Sequence, residues 1–286
     1  MAWTLEERER IRARSADKLA RLKTLLRQCP GVLVAFSAGV DSTFLLAVAA
    51  EVLGQRVVAL TAHSASVPQA EREEARALAR RLAVRHLEVE SREAADPRYL
   101  ANPVDRCYFC KSELYRICEE VARAEGLPTV LDGFNADDRR DHRPGHRAAS
   151  ERLVRSPLAE AELGKDEIRA HSEAYGLPTW DKPQMACLAS RIPYGTAITP
   201  ERLARIERAE AGVRRAGLRQ FRVRDHGTVG RVEVAKDEME RAFALRAEVL
   251  AAVKGAGFEF AALDLEPFRS GRMNEAAGVA LPVVDA

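Results

Sequence analysis

Residues 31–54, GVLVAFSAGVDSTFLLAVAAEVLG, constrain this chain more than any other stretch. A β-branched run, GVLVAFS (31–37), passes through small residues into an apolar helical run, GVDSTFLLAVAAEVLG (39–54), which Gly54 closes. Strand, tight loop, helix is half of a βαβ unit, and the next strand must return parallel to the first. QRVVALTAHS (55–64) supplies that strand. PQAEREEARALARRLAV (68–84) reads as an amphipathic helix opened by Pro and an acidic turn. RHLEVES (85–91) is a third strand, CKSELYRICEEVARAEG (110–126) a helix, TVLDGFN (129–135) a fourth strand, RLVRSPL (152–158) a fifth, and GKDEIRAHSEAYG (164–176) a further helix. This rhythm predicts an α/β fold, a parallel sheet with helices on both faces.

The rhythm changes after PQMACLASRIPYGT (183–196). A helix over 199–217 leads to two short strands, RQFRVRDHG and TVGRVEVA, then a helix over 237–254 and a last strand, FEFAALDLE (258–266). We expect a small α+β domain there, with domains at 1–197 and 198–286.

The net charge of +2 on 286 residues argues against a broad nucleic-acid surface. The first fifteen residues are charged throughout, unlike a secretory leader. No segment approaches the roughly 18 apolar residues of a membrane span. A cytoplasmic protein is expected. Its five cysteines, 29, 107, 110, 118 and 187, then point to metal or catalysis rather than a disulfide framework.

The loop Ser37-Ala38-Gly39-Val40-Asp41-Ser42 aims backbone amides and a helix's positive end at an anion. Gly39 admits a close backbone approach, Ser37 and Ser42 can donate to phosphate oxygens, and Asp41 can hold magnesium or orient the loop. Each residue alone would also suit a turn or a helix cap. No Walker A lysine is present. SAGVDS instead resembles the pyrophosphatase P-loop, usually Ser-Gly-Gly-x-Asp-Ser, with Ala38 in place of one glycine. This resemblance implies an adenine nucleotide alpha hydrolase-like fold, ATP with Mg2+, and adenylation with loss of pyrophosphate. It also places TAHS (61–64), with His63, at the adenine, and DGFNADDRRDHRPG (132–145), with Gly133, Asn135 and Asp138, beside the nucleotide. The charges of that second segment suit a solvated loop equally well.

Cys107 and Cys110 open a predicted helix, where the dipole favours thiolate. With Cys187 they make three ligands; structural zinc usually takes four, and a 4Fe–4S cluster on three thiolates leaves one iron open. Cys29 and Cys118 suit helix packing. A redox dithiol would leave ATP cleavage without a purpose.

SAGVDS, NPVDRCYFCK, DGFNADDRRDHRPGHRAA, SPLAEAELGKDEIR, LPTWDKPQMACLASRIPYG and LEPFRSGRMN together resemble the LarE family over nearly the whole chain. Those are ATP-dependent sulfur transferases of nickel-pincer nucleotide cofactor synthesis. The resemblance implies a substrate, pyridinium-3,5-biscarboxylic acid mononucleotide, whose carboxylates become thiocarboxylates. One branch sacrifices a cysteine that aligns with Cys187. Another keeps three cysteines for a 4Fe–4S cluster, matched here by Cys107, Cys110 and Cys187. An upstream sulfur donor and a homo-oligomer are implied as well.

Arg222 and Arg224 alternate with Phe221 and Val223, so both arginines face one side of a strand. Guanidinium groups grip phosphate and carboxylate bidentately. The resemblance assigns Arg222, Arg224, Arg269, Ser190 and Arg191 to substrate, and Glu210 and Glu233 to a divalent ion. A sheet face with scattered salt bridges is the plainer alternative. Two rivals to the whole reading stay open: a tRNA thiolase, which would bind with strong salt dependence, and a non-catalytic nucleotide module with zinc on Cys107 and Cys110.

Overall fold

The structure is a computed structural model and describes residues 3–140, 144–183, 186–269 and Arg272. Four parallel strands, β1 (Val32–Ala35), β2 (Val57–His63), β3 (Arg85–Glu90) and β4 (Thr129–Leu131), form a sheet in the order β3-β2-β1-β4. Both faces are covered, as a parallel sheet requires. Val32 and Val34 enter one core with Phe44, Leu45 and Val48 of helix Val40–Leu53. Leu33 points the other way, with Leu60, onto Ile117 and Cys118 of helix Arg106–Ala124.

Helix Val40–Leu53 is buried nearly all round, so it needs cover on its outer side. Helix Ala16–Arg27 gives it, with Leu22 and Leu26 fully buried. Each such leucine is worth about 1.5–3 kcal/mol. Helix Leu5–Arg14 precedes it, started by a reciprocal cap between Thr4 and Glu7. Helix Lys165–Ala174 packs alongside.

The strand expected over 152–158 is reduced to a single parallel bridge between Leu131 and Arg155. Leu153 takes a left-handed φ of 54°, and Pro157 opens a short helix, Pro157–Glu160, so no second ladder rung can form.

The C-terminal sheet runs β5 (Phe221–His226), β6 (Val229–Val234) and β7 (Phe260–Leu263), antiparallel then parallel. Helices Pro200–Arg215 and Arg246–Gly255 cover one face. The helix expected over 237–254 is two pieces, Met239–Ala244 and Arg246–Gly255. The break falls at Leu245, which turns in to pack on this second core. That core also takes in Tyr99, Leu188, Ala189 and Ile192, all before residue 198. Most of 270–286, the tail of the expected second domain, lies outside the described residues.

Candidate functional site

The SAGVDS loop runs from β1 into helix Val40–Leu53, whose first-turn amides have no intrahelical acceptors. Ser37 and Ser42 face each other, Oγ to Oγ 3.1 Å, and the Ser37 amide donates to Ser42 Oγ at 3.3 Å. Ala38 has φ 55°, so the left-handed position of the loop is Ala38 rather than Gly39. That conformation costs an alanine about 1–2 kcal/mol. The Ala38 carbonyl accepts from Lys182 Nζ at 3.2 Å, and Lys182 also pairs with Glu74 at 2.7 Å.

Asp41 Oδ2 pairs with Lys165 Nζ, while Asp41 Oδ1 is buried with no hydrogen-bond partner among the described residues. An orphaned buried acceptor costs about 1–3 kcal/mol. A divalent cation shared with phosphate would satisfy it, so the donor set fits ATP with Mg2+. Gly133 lies directly against this turn. A Cβ there would stand 3.0 Å from the Ser42 amide nitrogen and 3.2 Å from its Cα. Asn135 and Asp138, both buried, hold the loop after β4 in shape. Asn135 Oδ1 accepts from the amides of 137 and 138, and Asp138 Oδ2 accepts from the Asn135 amide at 3.1 Å. Asp137 accepts from the Lys165 amide at 2.6 Å, which fixes the lysine that reaches Asp41.

His63, at the end of β2, is buried; its Nε2 bonds Glu88, and its Nδ1 has no partner among the described residues. Hydrogen bonds from Arg76, and then from His63, hold the Glu88 carboxyl down at about 2.

The three cysteines gather at the same carboxyl edge of the parallel sheet, where α/β folds place their ligands. Cys107 and Cys110 lie in the first turns of helix Arg106–Ala124. Cys187 lies close enough to both for its charge to raise their thiols. Burial pushes the Cys110 thiol well up, and the neighbouring Glu93 carboxylate pushes it further. Cys107 keeps an open face, yet the dense protein around it raises its thiol, with Arg106 pulling the other way. Cys29 and Cys118 are packed into the two cores flanking the sheet.

Among the described residues, no three His, Cys, Asp or Glu side chains converge on one metal ion. A cubane asks less of the thiolates, because each binds a different iron. The three neighbouring cysteines fit such a group.

Two clasps hold the Cys187 segment. The Leu188 amide donates to the Ser66 carbonyl at 2.8 Å. Asn102, fully buried at φ 54°, donates through Nδ2 to the carbonyls of Pro193 at 2.8 Å and Thr196 at 3.0 Å. Arg191 is fully buried. It pairs with Glu210 at 2.9 and 3.0 Å and donates to the Cys187 carbonyl at 2.9 Å. Both Glu210 oxygens are thereby engaged, and burial, which disfavours its charge, is outweighed by Arg191. Ser190 Oγ donates to the Cys187 carbonyl at 2.7 Å.

On the C-terminal sheet, Arg222 opposes Glu233 and Arg224 opposes Arg231, all on one face. Glu233 sits between two like charges, bonding Arg224 at 2.7 Å and Arg231 at 2.9 Å. Arg224 also donates to the Ser190 carbonyl at 2.8 Å, joining this face to the cysteine loop. Arg222 lies over the Phe268 ring at 4.8 Å. Burial and then the charge of Arg191 lower its guanidinium to about 10. Arg269 is exposed at the end of the described segment.

Sequence reasoning passed over Asn102, Arg106, Glu93, Lys165 and Lys182. Most of their partners are distant in the chain; only the adjacency of Arg106 to Cys107, and its i, i−4 spacing to Asn102, was a signal.

The Asparagine synthase family model matches residues 22–243. The chain belongs to this family, and it is an enzyme of the ATP-using PP-loop class. Among its relatives, an uncharacterised protein of Synechocystis sp. is 44% identical over 260 residues, 90% of this chain and 97% of its own length. The pyridinium-3,5-bisthiocarboxylic acid mononucleotide synthase of Lactiplantibacillus plantarum is 35% identical over 91% of this chain and 95% of its own. The chain is therefore a member of that synthase's family. No described helix is long and apolar enough to cross a membrane.

Proposed function

We propose that the enzyme inserts sulfur into pyridinium-3,5-biscarboxylic acid mononucleotide at the expense of ATP. The observation that carries this reading is the shared edge. The nucleotide loop and all three cysteines lie at the carboxyl ends of one parallel sheet, joined through the segment from Lys182 to Leu188. In the first step a substrate carboxylate oxygen bonds the α-phosphorus. The bridging P–O bond breaks, and pyrophosphate leaves with that electron pair. Loop amides, Ser37, Ser42, Lys165 and Lys182 would hold the phosphates, and Asp41 would hold the Mg2+ that neutralises their charge. His63 and the segment bearing Gly133, Asn135 and Asp138 enclose the nucleoside. In the second step a sulfur nucleophile bonds the acyl carbon, the C–O bond breaks, and AMP leaves.

Cys107, Cys110 and Cys187 would hold a 4Fe–4S cluster, which when bound supplies sulfide as that nucleophile. The sulfur comes from an upstream donor. Arg222, Arg224 and Arg269 bind the anionic substrate, with Arg191, Ser190, Glu210 and Glu233 fixing the frame behind them. The 198–286 unit serves as the substrate-binding and oligomerisation domain.

In anaerobic protein reconstituted with iron and sulfide, ATP and the pyridinium dicarboxylate should give pyrophosphate, AMP and a thiocarboxylate product. Asp41→Asn should slow pyrophosphate release by about a hundredfold or more. Cys187→Ala should keep pyrophosphate release and lose the thiocarboxylate. Release that needs tRNA instead of the pyridinium compound would sink the reading. A second sulfur source is Cys187 itself, the position that aligns with the cysteine one branch of the family sacrifices. Iron-free turnover with one sulfur lost at Cys187, read by intact mass, would establish that route.

A further inference from the structure

Arg106 is 4% exposed, at the start of the cysteine helix. Arg191 and Arg224, equally buried, each hold a carboxylate, Glu210 and Glu233. Arg106 has no carboxylate ion pair among the described residues. Its guanidinium donates to Asn102 Oδ1 at 2.5 Å and to the Ala189 carbonyl at 3.2 Å, and lies 5.5 Å from the Tyr194 ring. Those partners are neutral.

Burying a charge without a counter-ion is costly, and a neutral amide could make the same two carbonyl contacts. A charge kept at such a position needs an anion. The groups beside Arg106 that can take up negative charge are sulfurs, Cys187 and the adjacent Cys107. On the far side, buried Glu93 accepts from Ser66 Oγ at 2.8 Å and adjoins Cys110, so it adds negative charge to the same place. Exposed Lys111 is a weak offset.

We propose that Arg106 is the counter-charge of the sulfur centre. It is a positioning residue whose guanidinium balances the anionic sulfur group on Cys107, Cys110 and Cys187 while clasping the Cys187 loop through Ala189. This rests on the cluster reading above. It is tested on full-length anaerobically reconstituted protein by comparing wild type with Arg106→Lys and Arg106→Gln. Iron and sulfide per chain, iron loss to a chelator, and the midpoint potential from a redox titration are measured.

Arg106→Lys should stay near wild type. Arg106→Gln should lose iron at least about tenfold faster, the range found for outer-shell partners, and its potential should fall, because removing a positive charge disfavours the reduced form. Melting of the iron-free proteins checks folding, and Arg106→Met replaces Arg106→Gln if the latter does not fold. A charge-free variant with wild-type iron retention and potential overturns the proposal and leaves the cluster reading intact. Wild-type protein that takes up no iron or sulfide overturns both.

Discussion

The parallel sheet and the C-terminal sheet place their polar groups in different ways. In the first, both faces are apolar over β1 and most of β2, and the functional groups sit at the strand ends: SAGVDS after β1, His63 as the last residue of β2, Gly133 and Asn135 after β4. In the second, one face is core. The other carries Arg222, Arg224, Arg231 and Glu233 as side chains standing on the strands themselves. A loop-end site depends on backbone shape. A face site depends on charge balance, since Glu233 there sits between Arg224 and Arg231, with Asp264 as the second carboxylate on Arg231. The two regions should therefore fail differently when changed.

The largest effect is expected where a charge balance is broken. Glu210→Ala leaves Arg191 buried and unpaired and frees the Val223 amide. It should cost about 3–5 kcal/mol in a urea titration. Gly133→Ala tests backbone shape in the other region. Its new methyl meets the Ser42 backbone at 3.0 Å. Stability should fall by about 1–3 kcal/mol, with a larger loss in pyrophosphate release than Glu210→Ala gives per unit of stability lost. If the two variants lose activity in the same proportion to stability, the distinction between the regions is broken.

Ala38→Gly relieves the left-handed alanine and should stabilise the protein by less than about 1 kcal/mol, because glycine's flexibility offsets part of the gain. The most gradual effect is acid. His171 is buried against Phe44 and hydrogen-bonded to Ser15 Oγ at 2.9 Å. Burial lowers its folded pKa. The unfolded chain then binds the proton more readily, so stability is complete above about pH 6.5 and declines as pH falls below that value. Urea midpoints at pH 7.5 and 5.5 should show the decline, and His171→Gln should flatten it.

The parallel sheet was legible in sequence because each of its strands is a local pattern closed by its own turn. SAGVDS was legible because its chemistry is contiguous. The strand at 152–158 misled because RLVRSPL falls where the strand–helix rhythm asks for a strand, yet Pro157 and the left-handed Leu153 leave room for one bridge only. The clasp of Asn102 and Arg106 on the Cys187 loop was not legible. Its carbonyl partners lie some ninety positions away, and nothing local marks a buried arginine as different from an exposed one. Glu210 and Glu233, which the resemblance assigns to a divalent ion, are both engaged by arginines in the fold.

The bond from Lys182 to the Ala38 carbonyl has a consequence for reach. Lys182 is anchored at the nucleotide loop, and Cys187 follows so soon that even a fully extended chain spans no more than about 18 Å between them. The number of residues between a lysine and a cysteine thus sets an upper limit on how far Cys187 can stand from the nucleotide loop.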